Sequence, residues 1–207
     1  MVAGKPIIGL AGGIGSGKST VAAILEELGS AVIASDRLNH EELDEPEVLS
    51  CLREWWGDTV VGPDGRANRA ILRQIVAGDA AARQRLERLV HPRIARRREA
   101  LTRRYADDPA IRAIVWDSPL LFEAGLDRQC DWIVFVDAPR DTRLGRVLQK
   151  RGWTPEDLDR LEKSQKPLDI KRDRAHYRVT NNSDFESLHR QVQEVFSRIL
   201  ASSHNPT

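Results

Sequence analysis

The sequence predicts an α/β fold, in which helices cover both faces of a parallel β-sheet of five strands. Short apolar runs alternate along the chain with longer segments of helical periodicity. A glycine-rich segment joins the first apolar run to the first helical segment. Such alternation favours a parallel sheet with right-handed crossovers. A chain of 207 residues fits one domain with insertions better than two full domains.

The first strand is predicted from Lys5 to Ala11 and the first helix from Ser19 to Leu28. Between them lies the pattern of a glycine, four residues, a glycine, a lysine and a hydroxyl residue, which is typical of a phosphate loop. Glycines let the backbone curl so that consecutive N–H groups surround a polyphosphate at the positive end of the following helix. The residues predicted to bind the nucleotide here are Gly13, Ile14, Gly15, Ser16, Gly17, Lys18, Ser19 and Thr20.

Two side chains of this loop have specific predicted roles. Lys18 would reach the β- and γ-phosphates, and the Ser19 hydroxyl would ligate the Mg²⁺ that accompanies a nucleoside triphosphate. The alternative, a glycine-rich turn without a ligand, is less consistent with the position of the pattern between a strand and a helix.

The second strand, Ala31 to Ser35, leads directly to Asp36. Ligands of open parallel sheets lie beyond the carboxyl ends of the strands, so this acid would face the bound nucleotide. Alternatively, Asp36 caps a helix that begins near Arg37. The acidic run from Glu41 to Glu47 is predicted to be a solvated helix face or turn.

A long helical stretch separates the second and third strands. Helices are predicted for Val48 to Trp56, Asn68 to Gly78 and Ala80 to Tyr105, the last interrupted by a kink or junction at His91-Pro92 because proline lacks an N–H. Arginines that either keep this stretch soluble or bind phosphates of a second substrate are Arg93, Arg96, Arg97, Arg98, Arg103 and Arg104.

The third strand, Ala113 to Asp117, also ends in an acid. In phosphate-loop proteins, an acid at such a position often holds Mg²⁺, although Asp117 could equally cap the next segment. The fourth strand is predicted for Trp132 to Asp137, the fifth for Tyr177 to Asn182 and a closing helix for Asp184 to Leu200, with frayed residues after it.

A basic helical hairpin follows the fourth strand and suggests a lid. Its first helix runs from Asp141 to a break at Gly152. Its second begins with Thr154 as N-cap and Asp157 three residues later. Arginines of the first helix could close over ATP and stabilise charge on the transferring phosphoryl group, or could simply keep the surface soluble.

Composition narrows the possible classes of protein. A net charge of +1, with 30% charged and 41% hydrophobic residues, argues against both a disordered chain and a protein that binds nucleic acid through bulk charge. Cys51 and Cys130 have no metal-ligand spacing, and no apolar run approaches the roughly 20 residues that span a bilayer. We therefore expect a soluble, cytoplasmic protein that binds neither nucleic acid nor membrane, while its oligomeric state is not predicted.

Taken together, these segments resemble the dephospho-coenzyme A kinase family. The phosphate loop alone indicates only the superfamily, and the other motifs, in this order, narrow it. The matching elements are the loop from Gly12 to Thr20, Val32-Ile33-x-x-Asp36, Leu89-Val90-His91-Pro92, Pro119-Leu120-Leu121-Phe122-Glu123, Arg146 with Arg151-Gly152, Gln165 and Asn181-Asn182.

The resemblance implies a phosphate-loop kinase fold that transfers the γ-phosphoryl group of ATP to the ribose 3′-hydroxyl of dephospho-CoA. It implies one domain over 1–207, with a core of 1–38, 112–140 and 175–207, a helical substrate-binding insertion at about 39–111 and a lid at about 141–174. The alternative is another small-molecule kinase, acting on a nucleoside or nucleotide.

The resemblance also assigns roles to individual residues. Catalysis falls to Lys18, Asp36 and Arg146, with Asp36 as the base. Asn181 joins the loop in binding ATP, and Ser19 and Asp117 bind Mg²⁺. The residues implied to bind dephospho-CoA are Asp36, His91, Pro119, Leu120, Leu121, Glu123 and Arg151.

Two positions depart from the family pattern. Ala34 replaces the first carboxylate of the usual Asp-Ala-Asp sequence. Near the end of the chain, His176 replaces an Asp that the resemblance places on the nucleotide-base side.

Overall fold

A computed structural model of the chain describes residues 1–182 and 184–203. The described chain forms two compact units, one of Met1–Ala34 with the chain from Thr102 onward, the other of Ser35–Leu101. Of the residues after Leu200 that were predicted to be frayed, 201–203 are helical, whereas 204–207 lie outside the described residues. Within the described residues, no helix combines the length and the apolar character needed to cross a membrane.

The first unit contains the five-stranded sheet. Its strands are β1 (Ile7–Gly12), β2 (Ser30–Ala34), β3 (Ala113–Asp117), β4 (Trp132–Asp137) and β5 (Tyr177–Thr180). They are all parallel, in the order β2-β3-β1-β4-β5. The predicted sheet is confirmed, because each apolar run that suggested a strand forms one.

Nine α-helices are found in the described residues. They are α1 (Lys18–Glu27), α2 (Ser35–Leu43), α3 (Pro46–Trp56), α4 (Arg69–Gly78), α5 (Ala80–Asp107), α6 (Arg140–Arg151), α7 (Pro155–Lys163), α8 (Leu168–Asp173) and α9 (Phe185–Ser203). The predicted helix ends at Gly152 and Thr154 are both confirmed. Gly152 adopts φ 64° after α6, and Thr154 forms a reciprocal capping box with Asp157 at the start of α7.

Apolar side chains from α1 and α9 pack against one face of the sheet. The contacts include Val21 and Leu25 of α1 and Val192 and Phe196 of α9, all buried in one cluster with alternate residues of the strands. The alternation follows from the strand period of two, which sends successive side chains to opposite faces. This packing fixes the start of α1, and therefore the loop before it, relative to the sheet.

The acidic run from Glu41 to Glu47 does not form only a solvated face, contrary to the sequence prediction. The Glu42 side chain is 7% exposed and accepts hydrogen bonds from Arg93 at 3.2 Å and Arg97 at 3.3 Å. Both arginines belong to α5 and also pair with other glutamates of the run, namely Glu41, Glu45 and Glu47. Arg93 and Arg97 therefore join α2 to α5 within the second unit.

Helix α5 continues through His91 and Pro92, so the predicted junction between two helices is wrong, while the alternative of a kink stays a prediction. Pro92 lies inside an uninterrupted helix of 28 residues. Proline removes one backbone donor, but the long helical segments on either side keep the helical backbone conformation. The helical insertion predicted for about 39–111 also extends further than the second unit, whose last residue, Leu101, lies within α5.

Candidate active site

The glycine-rich loop lies at the carboxyl edge of the sheet, between β1 and α1. Gly12 ends β1, where it pairs with Val136 of β4, and Gly17 occupies the N-cap position of α1. Gly17 has no side chain with which to cap this helix. The first N–H groups of α1 and its positive dipole end are therefore directed at the loop, as an anion site requires.

Two of the loop glycines are required by their surroundings. Gly12 adopts φ +144°, and a Cβ there would lie 2.5 Å from the carbonyl oxygen of Val136. Gly17 adopts φ +93°, and a Cβ there would lie 2.0 Å from the side-chain nitrogen of Asn181. Both distances are shorter than a Cβ atom can approach another heavy atom. The glycines of the loop are therefore needed for close packing as well as for their positive φ angles.

The Lys18 side chain folds back over the loop. Its Nζ atom donates to the carbonyl oxygens of Gly12 at 3.0 Å and Gly13 at 3.1 Å. An ammonium at this position can move to phosphate oxygens because its three donors are set on a flexible stem.

Arg146 and Asn181 meet at the loop. Arg146 of α6 donates to the Ser16 carbonyl at 3.2 Å and to both oxygens of Asn181 at 3.1 Å. Asn181, just beyond β5, donates its side-chain amide to the same Ser16 carbonyl at 2.8 Å. The structure thus brings together three of the predicted donor-side residues, Lys18, Arg146 and Asn181, around one backbone segment.

Arg143 is a fourth side chain at the loop, and the sequence analysis did not single it out. It is 4% exposed and donates to the carbonyl oxygens of Ile14 at 3.2 Å and Ala138 at 3.3 Å. It also forms an ion pair with Glu162 of α7. The three-residue spacing of Arg143 and Arg146 on a helix would have indicated that both face the same side.

The two predicted metal ligands lie at neighbouring elements. Ser19 is exposed in the first turn of α1, and Asp117 ends β3, where it pairs with Leu10 of β1. The described residues include no group of three or more His, Cys, Asp or Glu side chains that could hold a metal ion. A hydroxyl and one carboxylate still fit Mg²⁺ that arrives with ATP, because this ion takes one or two protein ligands beside phosphates and waters.

Asp36 is an exposed residue in the first turn of α2. The helix begins at Ser35, so Asp36 is not its N-cap and the capping alternative is wrong. Ala34, two residues earlier, pairs with Asp117 at the end of β3. The chain therefore enters α2 from the carboxyl edge of the sheet.

The predicted acceptor-side residues differ in exposure. His91 and Arg151 are exposed, the latter with its guanidinium 4.6 Å from the ring centre of Trp153. Leu120 is 47% exposed and Pro119 is partly exposed, whereas Leu121 is 1% exposed. Leu121 therefore packs in the core below Gly9, and its predicted acceptor contact stays a prediction.

Glu123 anchors the segment between α7 and α8. Its Oε1 atom accepts the Lys166 backbone N–H at 2.7 Å and the ammonium of Lys171 at 2.9 Å, and Lys171 also donates to Gln165 at 3.0 Å. Burial alone would raise the pKa of Glu123, but the hydrogen bonds from Lys171 and Lys166 outweigh it and hold the pKa below its ordinary value. These contacts describe a supporting role, and direct contact with the acceptor remains a prediction.

His176 lies at the opposite end of the strands from the phosphate loop. Its Nδ1 atom accepts the backbone N–H of Ile133 at 3.0 Å, near the start of β4 and just before β5 begins. The loop follows the opposite, carboxyl end of β1. His176 therefore lies near the start of β4 and β5, and the effect that its replacement of the family's Asp has on the nucleotide-base side stays a prediction.

Comparisons with known proteins agree with this geometry. The family model described as dephospho-CoA kinase matches residues 6–187. The dephospho-CoA kinase of Corynebacterium glutamicum is 37% identical over 197 residues, which cover 94% of this chain and 97% of that protein.

Two solved structures share the fold of this chain. The crystal structure of TT1252 from Thermus thermophilus has a TM-score of 0.78 and 32% identity, and the match covers 94% of this chain and 98% of that one. The dephospho-CoA kinase from Campylobacter jejuni shares the fold, with a TM-score of 0.71 and 23% identity over 96% of this chain and 98% of its own. Because the family model and the Corynebacterium glutamicum relative both match most of the sequence, the chain belongs to the dephospho-CoA kinase family.

Proposed function

We propose that this protein transfers the γ-phosphoryl group of ATP to the ribose 3′-hydroxyl of dephospho-CoA, giving CoA and ADP. Membership of the dephospho-CoA kinase family supports the reaction. The observation that carries the site assignment is the convergence of Lys18, Arg146 and Asn181 on the phosphate loop at the N-terminus of α1. Phosphoryl transfer depends mainly on such positioning of positive charge and N–H donors.

On the donor side, we assign the β- and γ-phosphates of ATP to the loop N–H groups and Lys18. Arg146 already lies over the loop and would stabilise the charge that spreads onto the equatorial oxygens of the transferring group. Ser19 and Asp117 would hold the Mg²⁺ that accompanies ATP, and the bound ion would supply positive charge against the phosphates. A cytoplasmic location, where ATP is supplied, is part of the same proposal.

On the acceptor side, we assign Asp36 as the general base. Its carboxylate would accept the proton of the attacking hydroxyl while the new oxygen–phosphorus bond forms and the bond to the bridging oxygen of ADP breaks. The exposure of Asp36 at the start of α2 supports access to a substrate hydroxyl. The other proposed contacts with the acceptor are His91, Leu120 and Arg151, which are exposed, and Pro119, which is partly exposed.

The direct test is product formation from ATP, Mg²⁺ and dephospho-CoA. We expect CoA carrying a 3′-phosphate, identified by mass and by release of that phosphate with a 3′-specific phosphatase. A panel of nucleosides and nucleotides as competing acceptors tests the alternative kinase. Turnover of one of these in place of dephospho-CoA, or no CoA above a reaction without enzyme, would contradict the proposal.

Asp36→Asn tests the assignment of the base. We expect kcat to fall by about 10²- to 10⁴-fold while the affinity for ATP changes little, because the carboxylate acts on the acceptor hydroxyl. Glu54→Gln is the matched control, since it neutralises another exposed carboxylate of the second unit. Wild-type turnover by a folded Asp36→Asn protein would remove Asp36 from catalysis.

A further inference from the structure

We propose that Arg143 is a positioning residue that sets the orientation of the phosphate loop and links the loop to α7 through Glu162. This inference rests on the proposed function, since it concerns how the same site binds ATP. Arg143 is distinct from Arg146, because its side chain is buried below the loop.

The guanidinium of Arg143 connects three elements within the first unit. It donates to the Ile14 carbonyl in the loop at 3.2 Å and to the Ala138 carbonyl after β4 at 3.3 Å. Its charge is balanced by Glu162 of α7. A planar fork of fixed donors can satisfy several acceptors at once, whereas a lysine ammonium is a point charge on a flexible stem.

The contact with Ile14 determines where the next N–H group points. In a trans peptide, the carbonyl and the N–H of one peptide unit point in opposite directions. Because Arg143 holds the Ile14 carbonyl on its own side, the Gly15 N–H is directed to the other side of the loop. Arg146 and Asn181 act on the Ser16 carbonyl in the same way and so direct the Gly17 N–H.

The glycines of the loop allow this close approach. A Cβ on Gly13 would lie 2.9 Å from a terminal nitrogen of Arg143, and a Cβ on Gly15 would lie 2.7 Å from the Arg143 carbonyl oxygen. Residues 13 and 15 therefore lack side chains partly because α6 packs directly against the loop. The sequence pattern and the buried arginine form one structural unit.

Glu162 extends this unit to α7. The side chain of Arg143 is 5% exposed and that of Glu162 is 23% exposed, so the pair is largely shielded from water. A movement of α7 that separates the pair would leave the buried guanidinium without its counter-charge and would disturb its contact with Ile14. Binding of ATP to the loop and the position of α7 are consequently coupled: a shift of α7 changes the affinity for ATP, and binding of ATP changes the preferred position of α7.

Arg143→Lys tests the proposal, with Arg140→Lys as its matched control. Arg140 is on the same helix and also pairs with α7, through Asp159, but within the described residues its hydrogen bond goes to that carboxylate and not to the loop. Binding is measured by calorimetry with a non-hydrolysable ATP analogue and Mg²⁺. We expect Arg143→Lys to weaken binding of the analogue by about tenfold, the size of one charge-assisted hydrogen bond, and Arg140→Lys to leave it within twofold.

Steady-state kinetics separates positioning from general damage to the fold. Arg143→Lys should raise KM for ATP and leave KM for dephospho-CoA within twofold. Hydrogen exchange should be faster at the N–H groups of residues 13–17 and unchanged in α9. Binding of the analogue at wild-type strength, or equal weakening of both substrates, would overturn the proposal. If CoA formation fails for the wild type, the calorimetry still decides the role of Arg143 in nucleotide binding.

Glu162→Gln provides a second variant that leaves Arg143 in place. We expect it to weaken binding of the analogue in the same direction but less than Arg143→Lys, by about threefold, because the contact with Ile14 persists without its counter-charge. The double variant Arg143→Lys/Glu162→Gln should bind no more weakly than Arg143→Lys alone, since both changes interrupt one connection. Independent, multiplying effects would contradict the linkage to α7.

Discussion

Removing one partner of the ion pair between Glu123 and Lys171 should strongly destabilise the first unit. The side chain of Lys171 is 2% exposed, and that of Glu123 is 18% exposed. Glu123→Gln would keep the shape of the side chain and an oxygen acceptor but would remove the counter-charge of a buried ammonium. The second carboxylate oxygen is itself buried without a hydrogen-bond partner in the described structure, so the amide gains nothing there.

Breaking a buried pair by removing one partner costs about 3 to 5 kcal/mol. The lower end applies because Gln can still accept a hydrogen bond from Lys171, so we expect a loss of about 3 kcal/mol. For a chain of this size, each kcal/mol shifts the melting temperature by about 2 to 4 °C, and the predicted decrease is about 6 to 12 °C.

Thermal unfolding followed by circular dichroism at pH 7 measures the effect. Glu194→Gln is the control, because the Glu194–Arg198 pair of α9 has side chains 63% and 65% exposed and should contribute less than about 1 kcal/mol. Adding Lys171→Met to Glu123→Gln should restore part of the loss by removing the buried charge. A shift for Glu123→Gln no larger than that of the control would refute the reasoning.

Three further predictions follow from the described contacts. Gly17→Ala should abolish ATP binding that calorimetry can measure, because its Cβ would lie 2.0 Å from the side-chain nitrogen of Asn181. The control, Gly78→Ala, has open space around it in α4, so it should leave ATP binding unchanged and leave the melting temperature unchanged or slightly raised. The folded-state pKa of Glu123 is below its ordinary value of 4.5, so its contribution to stability is complete above that pH and is lost as the pH falls through the lower value. The difference in melting temperature between wild type and Glu123→Gln should therefore shrink in acid, and a constant difference would contradict this. Glu42→Gln should destabilise the second unit in denaturant titrations, and by more than exposed Glu54→Gln does, because the Glu42 side chain is 7% exposed and pairs with two arginines. Breaking a buried pair costs about 3 to 5 kcal/mol, and we expect about 2 to 4 kcal/mol here because the Arg93 and Arg97 side chains are 26% and 36% exposed.

The sheet and the phosphate loop could be predicted from the sequence because their signals are local. Each strand is a short apolar run, and the loop has fixed glycines between a strand and a helix. The start of α7 was equally accessible, since Thr154 and Asp157 form a capping box within four residues. Local chemistry determines these features, so no knowledge of distant residues is needed.

Features that depend on distant residues could not be predicted in this way. Glu42 looks like part of a solvated acidic run, yet its partners Arg93 and Arg97 follow 51 and 55 residues later. Arg143 and Glu162 are separated by 19 residues and belong to different helices. The junction predicted at Pro92 is wrong for a related reason, because a single proline costs less than the cooperative helix on both sides of it contributes.

Within the candidate site, the sequence indicated which residues meet but not how they meet. Lys18, Arg146 and Asn181 were all predicted on the donor side, and all three contact the loop. Their hydrogen bonds, however, go to loop carbonyl groups, which no motif reveals. The orientation of a peptide group depends on φ and ψ together with its partners, and only the folded chain specifies both.

The position of Lys18 has a thermodynamic consequence for the reaction. Its ammonium already donates to the carbonyl oxygens of Gly12 and Gly13, so in its proposed role Lys18 would exchange these acceptors for phosphate oxygens when ATP binds. The affinity gained from Lys18 is only the difference between phosphate and carbonyl oxygens as acceptors. That difference grows as negative charge accumulates on the bridging oxygen during transfer. In its proposed role, the Lys18 ammonium would therefore contribute little to the affinity for ATP and more to the rate of phosphoryl transfer.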